Sequence, residues 1–213
     1  MKKEIVVRYT LGEELINSIS HGIGAALAIA GMILLIIKAN NVAGILTSIV
    51  YSIILIVMYT ISCIYHALSP KLRGKEVLRN LDHSNVLLMV AGTYTPISIC
   101  LLKGSLGWTV FTIVWCITII AIVFNSINVE KYQKICLACN LILGWASLLI
   151  IKRLIAACPK EGIMLLIGGG IVYTIGAVLY GLGKKYRYIH SLFHFFILIG
   201  SILHYFFIFF YGI

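Results

Sequence analysis

Seven long apolar runs make up most of this chain, and they constrain its fold more than any other feature. One helix needs about 20 consecutive apolar residues to cross the hydrocarbon core of a bilayer. The fifth run is the shortest and contains Asn140. The sequence predicts an all-α integral membrane protein, a single domain over residues 1–213 built as a bundle of seven transmembrane helices. The runs lie near residues 19–37, 43–67, 81–102, 106–124, 135–151, 162–180 and 188–210.

The composition excludes an ordinary soluble domain. Hydrophobic residues form 61% of the 213 residues and charged residues only 11%, whereas soluble domains carry about 25% charged residues. The net charge of +10 does not indicate nucleic acid, because the 17 lysines and arginines fall in short gaps between the apolar runs. A nucleic-acid surface would need a basic stripe or patch. The six cysteines show no secreted disulfide pattern.

The basic residues instead indicate the orientation of the chain. Seven spans place the termini on opposite sides, and cytoplasmic loops carry an excess of Lys and Arg. One set of alternate connections holds Lys2, Lys3, Arg8, Lys71, Arg73, Lys75, Arg79, Lys131, Lys134, Lys184, Lys185 and Arg187. The other set holds Lys38, Lys103, Lys152, Arg153 and Lys160. This asymmetry predicts a multi-pass protein of the plasma membrane with a cytoplasmic N-terminus and an extracytoplasmic C-terminus.

Several ionisable side chains sit at the ends of the runs. Such groups are costly inside a membrane and require a partner or a function. Because successive spans alternate in direction, the start of an odd-numbered span and the end of an even-numbered one lie on the same, cytoplasmic side. The sequence therefore predicts a polar cluster at that depth. Its members would be His21, His66, Asp82, His83, His190 and His194.

Three of these histidines have the spacing of metal ligands. His190 and His194 are one helical turn apart and project from the same helix face. With His66 they offer three nitrogen ligands and leave a fourth position open, as in catalytic zinc sites. Asp82 could orient a histidine or hydrogen-bond water on the metal. The alternative is a set of ordinary interface residues that pair with headgroups or with each other, but four groups at one depth favour the metal site.

Two other histidines are expected to lie outside the metal ligands. His204 follows His194 by ten residues and so lies about 15 Å deeper in the membrane. It cannot share the metal, and we expect it to make an interhelical hydrogen bond. His83 projects about 100° around the helix axis from Asp82.

Two further patterns carry weaker signals. Cys136 and Cys139 also start an odd-numbered span, and they are either buried small apolar residues or a second pair of zinc ligands. The glycines at 168–170 lie within the sixth run. Small residues let membrane helices approach closely, so these glycines indicate helix packing.

Short motifs spread along the chain resemble, in their order, one known family. They comprise Glu14, Asn17 and His21 in EELINSISH, Ser62 and His66 in SCIYH, Asp82 in LDHSNVLLMVAGTYTP, and His190 with His194 in HSLFH. This combination resembles the hemolysin III family, the bacterial branch of the progestin and adipoQ receptor (PAQR) membrane proteins. The wider CREST group to which they belong includes alkaline ceramidases.

The resemblance implies a seven-helix bundle with a zinc ion near the cytoplasmic face. The implied ligands are His66, His190 and His194. Asp82 and Ser62 would contact the metal-bound water, and the mouth of the site would be shaped by Glu14, Asn17 and His21. The resemblance also suggests haemolysis or a role in membrane lipid balance, while ceramidase-like relatives hydrolyse lipid amides.

Three functional hypotheses follow. The first is a zinc-dependent hydrolase, or a lipid sensor derived from one, that acts on a lipid amide or ester, with Asp82 as general base or water-orienting group and Ser62 as a supporting donor. The second is a cytolytic or pore-associated protein with structural zinc, which the scattered polar residues beyond the cluster do not favour. The third is a receptor, but the short loops leave little for a large extracellular protein to bind. The expected partners are membrane lipids.

Overall fold

The computed structural model describes residues 9–69, 71–72 and 74–213, and within them the chain is almost entirely helical. The α-helices are Leu11–Lys38, Val42–Ala67, Gly74–Pro96, Gly104–Ile127, Val129–Trp145, Ile151–Ala157, Lys160–Leu182 and Ile189–Phe207. They are extended by π-helical turns at Ile97–Leu102 and Ile208–Gly212 and by a 3-10 turn at Ala146–Ile150. Four basic residues used for the predicted orientation lie outside the described residues, namely Lys2, Lys3, Arg8 and Arg73.

Contiguous helical pieces combine into spans of membrane length. In the described part of the chain, seven such helices are long and apolar enough to cross a membrane. We number them one to seven in chain order: Leu11–Lys38, Val42–Ala67, Gly74–Leu102, Gly104–Ile127, Lys131–Ala157, Lys160–Leu182 and Ile189–Gly212. The predicted seven-helix membrane bundle is confirmed, and the chain is a multi-pass membrane protein.

Three spans extend farther than the apolar runs predicted. The first begins at Leu11 rather than near residue 19, and the third begins at Gly74 rather than near residue 81. The fifth, which looked short, continues to Ala157 through the 3-10 turn. In each case the added segment includes polar or charged residues, so a search for apolar runs ends before the helix does.

The early start of the first span has a local cause. Thr10 is its N-cap, and the backbone N–H of Glu13 donates to the Thr10 hydroxyl oxygen at 3.3 Å. In return, the Thr10 backbone N–H donates to the Glu13 carboxylate at 2.8 Å. This reciprocal capping box satisfies two backbone donors that the start of a helix would otherwise leave free. It places Glu14 and Asn17 on a regular helix instead of in a loop.

Each span packs on the next, and the first span also packs on the seventh. The third span is the most enclosed. Of an 18-residue apolar stretch in each span, 61% is buried inside the protein in the third span and 11% in the fifth. Large aliphatic and aromatic side chains remain exposed on the outside of the bundle, where lipid chains solvate them. The interior contains small hydroxyl residues such as Ser48, Ser52 and Thr118. This is the pattern expected when small and weakly polar residues mediate helix contact inside a bilayer.

The three consecutive glycines of the sixth span pack against its neighbours. A methyl group added to Gly169 would lie 2.3 Å from Cδ2 of His204 on the seventh span. The His204 ring lies against this glycine, and its Nε2 is 3.1 Å from the carbonyl oxygen of Leu166. The interhelical hydrogen bond predicted for His204 and the packing role predicted for the glycines are both present.

Gly169→Ala is therefore expected to destabilise the protein by about 1–3 kcal/mol, because the added methyl group must displace a buried ring. Thermal unfolding in detergent measures the effect. Gly168→Ala is the matched control, since a methyl group there would meet Leu203 at an ordinary 3.8 Å. Equal melting temperatures for the two variants would contradict the packing role of Gly169.

The orientation of the bundle remains a prediction. The excess of basic residues in one set of connections predicts that a reporter fused after Ile213 behaves as extracytoplasmic. A reporter inserted after Gly183, between the sixth and seventh spans, should behave as cytoplasmic. The reverse pattern would show that the positive-inside rule fails for this chain.

Candidate metal centre

Three buried histidines from two spans converge at one end of the bundle. His66 lies in the last turn of the second span, and His190 and His194 lie in the first turns of the seventh. Their exposed fractions are 2%, 5% and 1%. One ligand atom of each lies within 4.8 Å of the others. The spacing read from the sequence therefore produces a real cluster.

Several ring nitrogens of this cluster have only another imidazole, or nothing, as a hydrogen-bond partner. Nε2 of His190 and Nε2 of His194 lie 3.1 Å apart. Nε2 of His66 and Nδ1 of His194 are buried without any hydrogen-bond partner. Buried polar atoms are nearly always paired, because burying them unpaired is costly. Three converging imidazoles, among them His66 with its unpartnered Nε2, fit a metal ion, and this group could hold one.

The other ring nitrogen of His66, Nδ1, has partners on the first span. Oε2 of Glu14 on the first span lies 2.6 Å from Nδ1 of His66. The side-chain amide nitrogen of Asn17, one turn farther along, lies 3.4 Å from the same Nδ1. The first span thus contributes to the histidine cluster through Glu14 and Asn17, which both approach Nδ1 of His66.

The third residue expected at the mouth, His21, lies deeper in the wall. It is 3% exposed, and its ring centroid is 3.9 Å from that of His194 and 5.0 Å from that of Tyr59. Neither ring nitrogen of His21 has a hydrogen-bond partner. Glu14 keeps some contact with the outside, whereas Asn17 and His21 are enclosed.

Asp82 and Ser62 line a cavity together with two of the histidines. The cavity wall at this end includes His21, Ser62, Asp82, His190 and His194. Ser62 is fully buried and its hydroxyl oxygen has no partner, while Asp82 is half-buried. The structure thus brings both residues to a cavity that His190 and His194 also line.

The cavity continues from the polar end into the interior of the bundle. Its wall is mostly apolar, and its far parts include Ile97, Trp145, Leu166 and His204. A molecule that fits has one polar group near the histidines and an apolar body.

The remaining candidates lie outside the ligand group. In the described residues, Cys136 and Cys139 form no part of the metal-binding group, and Cys136 is buried against Leu87 and Ala121. This favours the apolar interpretation of the cysteine pair. His83 lines the cavity with its ring edge-on to Tyr180, 5.9 Å away, and it too lies outside the group.

One residue at the site, Tyr9, could not be identified from the sequence pattern. Its ring stacks on that of His190 with centroids 4.6 Å apart and planes 20° apart, and it lies 5.7 Å from the ring of His66. Burial raises the pKa of the Tyr9 hydroxyl, so it remains protonated. Tyr9 precedes the first span and matches no spacing rule, and a stack between distant residues becomes visible only in the fold.

Comparison with known proteins supports the resemblance found in the motifs. A family model described as Haemolysin-III related matches residues 9–205. Hemolysin-3 of Bacillus cereus is 36% identical over 203 residues, covering 93% of this chain and 91% of that protein. The Hemolysin-3 homolog of Bacillus subtilis (strain 168) is 35% identical over 196 residues, covering 91% of each. The human monocyte to macrophage differentiation factor is 22% identical over 203 residues, covering 92% of this chain and 83% of that protein. No solved structure matches significantly.

Proposed function

This chain belongs to the haemolysin-III related family, and we propose that it is a zinc-binding membrane protein that hydrolyses an amide or ester of a membrane lipid, or a lipid-homeostasis protein derived from such an enzyme. One observation carries the proposal. Three buried histidines form one group that could hold a metal ion, and two of them, His190 and His194, line a mostly apolar cavity. Asp82 and Ser62 line the same cavity.

The donor set suits zinc. Three imidazole nitrogens with an open fourth position are the usual ligands of catalytic zinc, whereas magnesium and calcium prefer oxygen. When bound, zinc would polarise a carbonyl group and supply an activated water. The ligands would be His66, His190 and His194.

Two other residues of the chain complete the proposed chemistry. Asp82 would accept a proton at its carboxylate, as a general base positioned at the half-buried rim of the cavity. Ser62 would donate a hydrogen bond to the polar group of the substrate, a role that its unpartnered buried hydroxyl leaves open. His21, with two free ring nitrogens beside His194, is available for the same polar group.

The cavity supports a lipid as substrate. Ligand sites are concave, mostly apolar and supplied with a few convergent polar groups. Here the polar groups gather at the end near the histidines, and the apolar walls extend past Ile97 and Leu166. The carbonyl of a lipid amide or ester would lie at the polar end, with its acyl chain in the apolar part.

A second candidate function is cytolysis with a structural metal. The observation that favours it is the name of two relatives, Hemolysin-3 and Hemolysin-3 homolog. A pore, however, requires a polar path through most of the membrane. The cavity wall of this chain is mostly apolar, which favours the lipid-acting protein.

Lipid analysis tests the proposal. Cells that lack the protein should accumulate one class of acylated lipid, and wild-type protein should restore the normal profile. A His66→Ala variant expressed at the same level should fail to restore it. Identical lipid profiles in all three strains would contradict a lipid-acting function.

A further inference from the structure

A lysine at the start of the third span is linked to a ligand histidine through one carboxylate. Nζ of Lys75 lies 2.6 Å from Oε1 of Glu14, and Oε2 of the same Glu14 lies 2.6 Å from Nδ1 of His66. Glu14 belongs to the first span, His66 to the second and Lys75 to the third. The two carboxylate oxygens thus bridge a cation and an imidazole that come from different helices.

The ammonium group of Lys75 is fixed by more than this one contact. It donates to the backbone carbonyl oxygen of Leu68 at 2.9 Å, just after the end of the second span. It also lies 5.1 Å from the ring centroid of Tyr65, within the range of a cation–π contact. Three partners in different directions hold the ammonium in one place, so it is a rigid support for the carboxylate.

This ion pair is not an ordinary surface pair. The side chains of Lys75 and Glu14 are only 13% and 14% exposed. Exposed ion pairs add little stability, and buried ones must offset a large desolvation cost. A pair retained at this depth, directly behind a metal ligand, is better explained by what it positions than by the stability it adds.

The contact with Glu14 determines which nitrogen of His66 can bind a metal. A neutral imidazole has one N–H and one nitrogen lone pair. If Nδ1 carries the hydrogen and donates to the Glu14 carboxylate, the lone pair lies on Nε2. That Nε2 atom has no other partner. Asn17 is farther from Nδ1, at 3.4 Å, so the shorter charge-assisted bond to Glu14 sets the tautomer.

We propose that Lys75 and Glu14 form a positioning relay that holds His66 in the Nδ1–H tautomer, with Nε2 directed at the metal. This inference rests on the proposed function, because it concerns the same metal site. Carboxylates behind metal-ligating histidines fix the ring and raise its basicity. In this chain a lysine is added to that arrangement. Because Lys75 belongs to the third span, the position of His66 depends on where the third span begins.

Metal affinity tests the relay without relying on catalysis. The zinc dissociation constant is measured by competition with a chromogenic chelator, using full-length protein in detergent. Glu14→Ala should weaken zinc binding by roughly 10 to 100-fold. Glu14→Gln keeps a hydrogen-bond acceptor without the charge, and Lys75→Met releases the carboxylate from its support, so both should show smaller losses. Lys75→Arg should recover part of the loss seen with Lys75→Met.

Matched controls separate the relay from charge effects. Glu76→Gln and Lys71→Met remove the same charges from exposed residues near the start of the third span, and both should bind zinc as the wild type does. The melting temperature of each variant reports whether it is folded. Wild-type zinc affinity in folded Glu14→Ala would overturn the relay and leave the metal site intact.

A second measurement addresses the tautomer directly. Nitrogen NMR of histidine-labelled, metal-free protein should show a strongly hydrogen-bonded Nδ1–H signal, assigned to His66 by its loss in His66→Gln. That signal should disappear in Glu14→Ala and shift in Lys75→Met. If wild-type protein binds no zinc, the proposed function fails. The signal of the metal-free protein still shows whether Glu14 holds His66 in the Nδ1–H tautomer. A signal unchanged in Glu14→Ala would overturn the relay whatever the zinc result.

Discussion

Asp82→Asn is expected to abolish lipid turnover while leaving most of the bound zinc in place. The substitution preserves the size of the side chain and most of its hydrogen-bonding capacity, but it removes the charge that accepts a proton. General base assistance contributes roughly 10² to 10⁴ in rate. Asp82 lines the cavity beside the histidines but is not one of the three grouped ligands. The loss should therefore appear in turnover rather than in metal content.

The comparison requires zinc content and cellular lipid profile to be measured on the same variants. Glu76→Gln, which removes an exposed carboxylate from the same span, is the control and should behave as wild type. If zinc is structural, Asp82→Asn will retain whatever membrane activity the wild type shows. Unchanged lipid profiles with normal activity would end the hydrolase proposal.

Replacement of His190 or His194 by alanine is expected to remove most of the zinc. Either change leaves two nitrogens, which are too few for a stable site. Both histidines lie on adjacent turns of the seventh span, and their Nε2 atoms lie 3.1 Å apart. Metal analysis of the purified variants measures the effect directly.

His204→Ala is the control for this loss of zinc. His204 lies on the same span but is hydrogen-bonded to Leu166 and packed against Gly169. Its replacement should lower the melting temperature and leave the zinc content unchanged. A His204→Ala variant that lost as much zinc as His194→Ala would show that zinc loss reports general destabilisation, not the loss of a ligand.

The sequence was sufficient to predict the bundle because apolar runs of membrane length have few alternative folds. The apolar runs underestimated the length of helices that begin or end in polar residues. The capping box at Thr10 and Glu13 begins the first span ahead of its apolar run. Its polar inner face, including Asn17, turns toward the bundle interior. A search for apolar runs detects the part of a helix that contacts lipid. It does not detect helical residues that are polar and face other helices.

The histidine cluster could also be predicted, because the helical repeat fixes His190 relative to His194 and alternating spans bring His66 to the same depth. Contacts between individual side chains of different spans could not be predicted. The family resemblance implied that His21 shapes the mouth of the site, and only the structure shows that its ring lies against that of His194. The stack of Tyr9 on His190 and the link from Lys75 to Glu14 join residues far apart in the chain. Such contacts depend on how the helices rotate about their axes, which one sequence does not specify.

The zinc content of purified protein shows whether this chain holds one metal ion on its three histidines. Wild-type protein, isolated without added chelator, is expected to contain about one zinc per chain. A His66→Ala, His190→Ala double variant of equal purity, confirmed as folded by its melting profile, should contain almost none. Full zinc in that double variant, or none in the wild type, would contradict the account.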